Sequence, residues 1–90
     1  LMLNGFGDPA QIEALRGQLA KDHGVRVEYH GADMSRPDEI AAMMRSAEQA
    51  FGGIDILVNN AGIQFVSPVE DFPPEKWEAI IAINLVALFH

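Results

Sequence analysis

The stretch Ile54-Asp55-Ile56-Leu57-Val58-Asn59-Asn60-Ala61-Gly62 decides the fold of this 90-residue chain. Its first five residues are mostly apolar and β-branched, and the last four are small or polar. This order is typical of a buried parallel strand whose carboxyl end opens into a ligand-binding loop. An ordinary turn is the alternative interpretation, because Asn and Gly are common turn residues.

Strand and helix patterns alternate along the rest of the chain, and glycine or proline separates them. The pattern predicts strands at residues 1–3, 25–30 and 54–58, and helices that begin at Asp8-Pro9, at Ser35 with Asp38 as a capping box, and at Pro74-Glu75. Gly24 is placed to end the first helix. The second helix has an apolar stripe formed by Ile40, Met43, Met44, Ala47 and Phe51. The order β-α-β-α-β-loop-α predicts an α/β fold with parallel strands.

Composition excludes several classes of function. The net charge of −7 argues against a nucleic-acid partner. No apolar run reaches the ~20 residues that a membrane span requires. His23, His30 and His90 have no spacing that builds a metal site. There is no cysteine, which fits a cytoplasmic protein.

Four features in order resemble the short-chain dehydrogenase/reductase family: the loop after the first strand, Asp33, Asn59–Gly62 and Asn84. The resemblance implies a Rossmann-type, doubly wound parallel sheet. It also implies hydride transfer between a substrate carbon and a nicotinamide cofactor. Counted along the complete sheet of the family, the chain would supply strands 2 to 4 with their helices.

The same resemblance implies a cofactor site at the carboxyl ends of the strands. Asn4 occupies the place where the adenosine ribose is held. Asn4 can bond a ribose hydroxyl, and no basic residue lies nearby to neutralise a 2′-phosphate, so NAD is favoured over NADP. A simple Asn-Gly turn is the alternative. Asp33 is expected to accept from the adenine amino group, although a helix-start acid is the alternative. The expected cofactor-binding residues are Asn4, Gly5, Phe6, Asp33, Met34, Asn60, Ala61 and Gly62.

Asn84 falls at helical spacing with Trp77, Ile80, Ile81, Leu85 and Leu88, on or beside an apolar stripe. An amide there must find hydrogen-bond partners. The resemblance implies a catalytic role, in which Asn84 holds a water in the proton relay from the catalytic Lys and Tyr to solvent. A core Asn with satisfied hydrogen bonds is the alternative.

Within the family, Gly62-Ile63-Gln64 and the segment Val69–Trp77 are most similar to bacterial D-3-hydroxybutyrate dehydrogenases. That resemblance implies a 3-hydroxy acid substrate, a homotetramer, and a role for Gln64 in binding the substrate carboxylate. An amide can donate to a carboxylate without adding charge. A solvent-facing Gln is the alternative, and a sugar or a 3-oxoacyl substrate is the alternative function.

The catalytic Ser and the Tyr-x-x-x-Lys segment of the family do not occur in residues 1–90. The single tyrosine, Tyr29, is followed four residues later by Asp33 and not by Lys. The glycine-rich turn of a first strand is also missing, so the strand at residues 54–58 would lack a neighbour. We therefore expect residues 1–90 to be an internal part of one NAD-binding Rossmann domain, truncated at both ends. A non-catalytic α/β binding module is the alternative from another functional class.

Overall fold

The computed structural model describes residues 1–90 as a small parallel sheet, with one helix between its two strands and the other helices after them. The elements are β1 (Met2–Asn4), α1 (Pro9–His23), β2 (Glu28–His30), α2 (Pro37–Phe51), a 3-10 turn (Val69–Asp71), α3 (Pro74–Ile81), a π-helical turn (Ala82–Val86) and α4 (Ala87–Phe89). The last three are consecutive and form one helical segment. The predicted α/β class is confirmed. None of the helices combines the length and apolar character needed to cross a membrane.

The sheet has two strands, β1 and β2, which run parallel and are joined by α1. Leu3 pairs with Tyr29, and Asn4 pairs with His30, so the two strands end at the same edge. The loops that follow them therefore lie side by side. β2 begins at Glu28 and is shorter than the predicted strand 25–30.

The first helix begins and ends as the sequence predicts. The Asp8 side chain accepts from the Gln11 amide at 3.0 Å, and Pro9 is the first helical residue. Gly24 ends the helix with a left-handed φ of 61°, and its amide donates to the Ala20 carbonyl. Glycine adopts this conformation without the steric cost of a Cβ.

The second helix begins near the predicted place but without the predicted capping box. Pro37 is its first residue, and Arg36 precedes it without a side-chain cap. The Ser35 hydroxyl donates instead to the Asp33 carboxylate at 2.7 Å. The prediction was wrong because Asp33 forms an Asx-type turn that engages both the amide and the hydroxyl of Ser35.

Residues 54–58, predicted to be a strand, take part in no sheet. Ile56 is 82% exposed and Val58 is 77% exposed. A strand exists through hydrogen bonds to a neighbouring strand, and β1 and β2 pair only with each other. The apolar run is therefore present as an unpaired segment, as expected for a strand without its neighbour.

The buried core is small and lies where α2 packs against β2. Only Val27, Ala32, Ile40 and Ala47 are buried. The radius of gyration is 15.5 Å, whereas a compact domain of this length has about 12 Å. The open shape leaves a wide groove between the sheet and the segment that follows α2.

Candidate functional site

The groove has a volume of about 720 Å³ and runs between the loops after β1 and β2 on one side and residues 53–63 on the other. Seven of the eight predicted cofactor-binding residues line it. These seven are Asn4, Gly5, Phe6, Met34, Asn60, Ala61 and Gly62. The eighth, Asp33, stands between the lining residues Ala32 and Met34. The fold thus brings together residues that are up to 58 positions apart, from Asn4 to Gly62.

The remainder of the groove is apolar. The predicted stripe of α2 faces into it, together with three residues of the last helical segment, Ile83, Ala87 and Leu88. The stripe consists of Ile40, Met43, Met44, Ala47 and Phe51. The lining is therefore mostly hydrophobic with a few polar residues, as in most small-molecule sites.

Asn4 connects the loop after β1 to the loop after β2. Its amide nitrogen donates to the carbonyl oxygens of His30 at 2.9 Å and Ala32 at 3.0 Å. Because an amide nitrogen has two hydrogens, both donors of Asn4 are used inside the protein. Its side-chain oxygen has no donor within the chain and remains available as an acceptor.

Tyr29 makes a second connection between the same two loops. Its hydroxyl donates to the carbonyl oxygen of Gly5 at 2.6 Å. Sequence reasoning considered Tyr29 only as a possible acid/base and did not predict this contact. The signal that could have found it is the parallel pairing, which places Tyr29 opposite Leu3, two residues before Gly5.

Asp33 is held in an orientation that leaves one carboxylate oxygen free. Its Oδ1 accepts from the amide of Ser35 at 2.8 Å and from the hydroxyl of Ser35 at 2.7 Å. These two hydrogen bonds, the backbone one first, hold the pKa of Asp33 below its usual value. Its own amide donates to Glu39 of α2 at 2.9 Å. Asp33 is thus an ionised, fixed acceptor beside the groove.

Asn84 reaches from the last helical segment to the loop that follows the unpaired segment. Its Oδ1 accepts from the Ile63 amide and its Nδ2 donates to the Ile63 carbonyl, both at 2.9 Å. A Cβ added to Gly62 would lie 3.4 Å from Asn84 Oδ1, at van der Waals distance, so the Asn84 side chain packs directly against Gly62.

The helix around Asn84 departs from the regular helix that its spacing predicts. Residues Ala82–Val86 form a π-helical turn, in which the Ala87 amide donates to the Ala82 carbonyl. Such widened turns occur frequently at functional sites. Asn84 itself is exposed and not in a core. Ile63 uses one of the two amide hydrogens of Asn84, so the other hydrogen remains free.

Gln64 lies two residues beyond Gly62, outside the groove lining. Its side chain is exposed and has no hydrogen-bond partner in the chain. The next residue, Phe65, packs edge-on against Phe72 with 5.4 Å between ring centroids. Phe72 in turn packs against Trp77 of α3 at 6.4 Å. The aromatic cluster fixes one end of the loop, and the free amide of Gln64 can bind a ligand.

Known proteins resemble this chain over its whole length. The sequence profile of the short chain dehydrogenase family matches residues 7–90. A D-beta-hydroxybutyrate dehydrogenase from Cupriavidus necator is 58% identical over 91 aligned residues, and one from Rhizobium meliloti is 51% identical over 90. A 5-keto-D-gluconate 5-reductase from Escherichia coli is 37% identical over 82 residues, 87% of this chain and 32% of the enzyme. The chain is covered completely by the first two and spans about a third of their length, 34% and 35%.

Solved structures give the same fold. A short-chain dehydrogenase/reductase from Serratia marcescens superposes with a TM-score of 0.91 at 25% identity, covering 98% of this chain and 36% of that enzyme. A metagenomic short-chain oxidoreductase in complex with NADP superposes with a TM-score of 0.84 at 35% identity, covering 98% of this chain and 39% of that protein. The predicted Rossmann-type class is confirmed by these superpositions.

Proposed function

Because the chain belongs to the short-chain dehydrogenase family, we propose that the whole protein is an NAD-dependent oxidoreductase that interconverts D-3-hydroxybutyrate and acetoacetate. The observation that carries this proposal is the 58% identity to a D-beta-hydroxybutyrate dehydrogenase across the full chain. The sugar-directed relative is less similar, at 37%.

The groove residues fit the adenosine half of a dinucleotide. Asn4 offers an acceptor to a ribose hydroxyl, since both of its donors are already used. Asp33 offers its free carboxylate oxygen to the adenine amino group. When bound, a nicotinamide cofactor supplies the hydride acceptor and donor of the reaction.

NAD is proposed over NADP on charge and hydrogen bonding. Residues 1–10, which include the loop after β1, contain no Lys or Arg. A ribose 2′-phosphate needs a cationic or donor-rich partner. Arg36, the first cation after β2, is paired with Asp38 at 3.2 Å and with Glu39 at 2.8 Å. The metagenomic relative was solved with NADP, so the choice of cofactor is a point to measure.

The substrate side of the proposal rests on Gln64 and Asn84. The free amide of Gln64 can donate to the carboxylate of a 3-hydroxy acid. Asn84 fixes Ile63, which immediately precedes Gln64, and thereby orients the loop. We propose that Asn84 supports proton transfer by holding a water through the amide hydrogen that Ile63 leaves free. The Ser, Tyr and Lys that the resemblance implies do not lie in residues 1–90.

A homotetramer and a cytoplasmic location belong to the same proposal. The last helical segment exposes large apolar side chains, among them Leu85, Leu88 and Phe89. In the whole protein such apolar surface is covered by the rest of the chain or by another subunit, and the tetramer assigns part of it to a subunit interface. Light scattering on the whole protein measures its oligomeric state directly.

The experiment that tests the proposed function is a steady-state assay of the whole protein with paired substrates and cofactors. We expect the highest kcat/KM for D-3-hydroxybutyrate with NAD, and little turnover of L-3-hydroxybutyrate. Preference for a sugar such as 5-keto-D-gluconate, or for a 3-oxoacyl thioester, would assign the protein to another activity of the family. Absence of nicotinamide cofactor binding would favour a non-catalytic binding module.

A further inference from the structure

We infer that Tyr29 is a positioning residue for the adenosine ribose of the cofactor, an inference that rests on the proposed function. Tyr29 lies in β2, and its hydroxyl reaches across to the Gly5 carbonyl oxygen at 2.6 Å. Tyr29 is not among the residues that line the groove, whereas Gly5 and Phe6 are. Its effect on a ligand therefore passes through the Gly5–Phe6 peptide.

The contact fixes the orientation of one peptide unit. No peptide bond in the chain is cis, and in a trans peptide the carbonyl and the following amide point in opposite directions. With the Gly5 carbonyl directed at Tyr29, the Phe6 amide points away from Tyr29. This amide donates to no acceptor within the chain. Tyr29 thus holds a free N–H donor in a fixed direction at the groove.

Asn4 supplies the complementary acceptor. Its side-chain oxygen is free, while its two donors are held by the carbonyls of His30 and Ala32. Each hydroxyl of a ribose can both donate and accept, so it can accept from the Phe6 amide and donate to Asn4. A 2′-phosphate carries acceptor oxygens and about −1.5 to −2 charges at neutral pH. It therefore has no hydrogen to donate to the side-chain oxygen of Asn4. The donor–acceptor pair therefore selects the unphosphorylated ribose.

Gly31 provides the space that the Tyr29 hydroxyl occupies. A Cβ built at Gly31 would lie 3.0 Å from the Tyr29 hydroxyl oxygen and 3.6 Å from the ring carbon that carries it. An alanine at position 31 would therefore push the phenol away from Gly5. In a Tyr29→Phe background the closest of these contacts is absent, and the alanine would be tolerated better.

The test compares Tyr29→Phe with the wild-type whole protein, using calorimetric titration with NAD and with NAD that lacks the 2′-hydroxyl of its adenosine ribose. We expect Tyr29→Phe to bind NAD about fivefold more weakly, the loss typical of one neutral hydrogen bond. We expect its affinity for the 2′-deoxy analogue to change by less than about twofold. Ser46→Ala is the matched control, because it also removes one hydroxyl that donates to a backbone carbonyl, that of Ala42 within α2. The control is expected to bind both cofactors as the wild type does.

A second variant keeps the inference testable if Tyr29→Phe is less stable. Gly31→Ala should also weaken the binding of NAD and leave the affinity for the 2′-deoxy analogue nearly unchanged. The double variant should bind NAD no more weakly than Tyr29→Phe alone. An unchanged ratio of the two affinities in Tyr29→Phe would overturn the inference while leaving the proposed function intact. A wild-type protein that binds neither cofactor would overturn both.

Discussion

The Asn84 side chain forms two hydrogen bonds with the backbone of Ile63. It accepts from the amide and donates to the carbonyl, both at 2.9 Å. The two residues are 21 positions apart and belong to different segments. Asn84 lies in the π-helical turn, and Ile63 directly follows the groove residue Gly62. The pair therefore connects the last helical segment to the loop that carries the proposed cofactor and substrate residues.

Replacing Asn84 by Ala should lower both stability and turnover of the whole protein. Two hydrogen bonds are lost, each worth roughly 1 kcal/mol or less at an exposed site, so the free energy of unfolding should fall by about 1–2 kcal/mol. We expect kcat to fall about tenfold or more, because the loop loses its support near the reacting groups. Chemical denaturation and steady-state kinetics measure the two effects.

The control for this variant is Gln18→Ala. Gln18 is also an exposed helical amide, and its only side-chain partner is Asp22, four residues away in α1. It should change neither quantity appreciably. If Asn84→Ala lowers the stability but leaves kcat unchanged, Asn84 has a structural role and no role in turnover.

Asn4→Asp should weaken NAD binding, although an acidic residue at this place favours NAD in dinucleotide-binding folds. The substitution removes the donor that the carbonyls of His30 and Ala32 share and places a carboxylate against them. We expect about 1–3 kcal/mol of lost stability, the cost of unsatisfied polar groups. Thermal unfolding and NAD titration check this. Tighter NAD binding in the variant would show that residue 4 turns towards the ribose instead of the two carbonyls.

Elements with local signals could be predicted from the sequence. Asp8-Pro9 and Gly24 determine the ends of α1 through the backbone groups beside them. The strand predicted at residues 54–58 does not form, because a strand depends on a neighbour that the sheet does not contain. The capping box at Ser35 failed for a related reason, since Asp33 competes for the same hydroxyl.

The meeting of the loops after β1 and β2 could be predicted, while the contacts between them could not. Parallel strands end at one edge, so the loops after β1 and β2 had to meet. The links from Asn4 to Ala32 and from Tyr29 to Gly5 depend on register and side-chain rotamer. Neither quantity is encoded in a local sequence pattern, and for that reason sequence reasoning assigned Asn4 to the ligand alone and missed Tyr29.

Ser35→Ala should raise the pKa of Asp33 towards its ordinary value of 3.8. The backbone amide of Ser35, which contributes most to the lowering, remains, so the rise is partial. A carboxyl group whose pKa is lowered in the folded state stabilises that state. This stabilisation is complete above the ordinary pKa of the group and is lost as the pH falls through the lowered pKa. In the variant the loss begins at the same pH, is smaller, and is complete at a higher pH.

Carbon-detected NMR titration of the Asp33 carboxyl in the whole protein measures this change. Ser46→Ala serves again as the control, because its hydroxyl contacts only the Ala42 carbonyl. If the pKa of Asp33 is the same in Ser35→Ala and in the wild type, the hydroxyl does not donate to Asp33 in solution.

Gln64→Glu should impair the use of a 3-hydroxy acid more than Gln64→Ala does. Alanine removes a donor to the substrate carboxylate, and glutamate also introduces a like charge beside it. We expect KM for D-3-hydroxybutyrate to rise about tenfold in Gln64→Ala, which is the range of a hydrogen bond to a charged group, and further in Gln64→Glu. The Kd for NAD should stay within about twofold in both variants. Because Gln64 has no partner within the chain, neither variant should alter the melting temperature, so a change in KM reports on the substrate.

Equal KM values in the wild type and both variants would exclude Gln64 from the substrate site. A larger effect on a neutral substrate such as a sugar would point to a different substrate class.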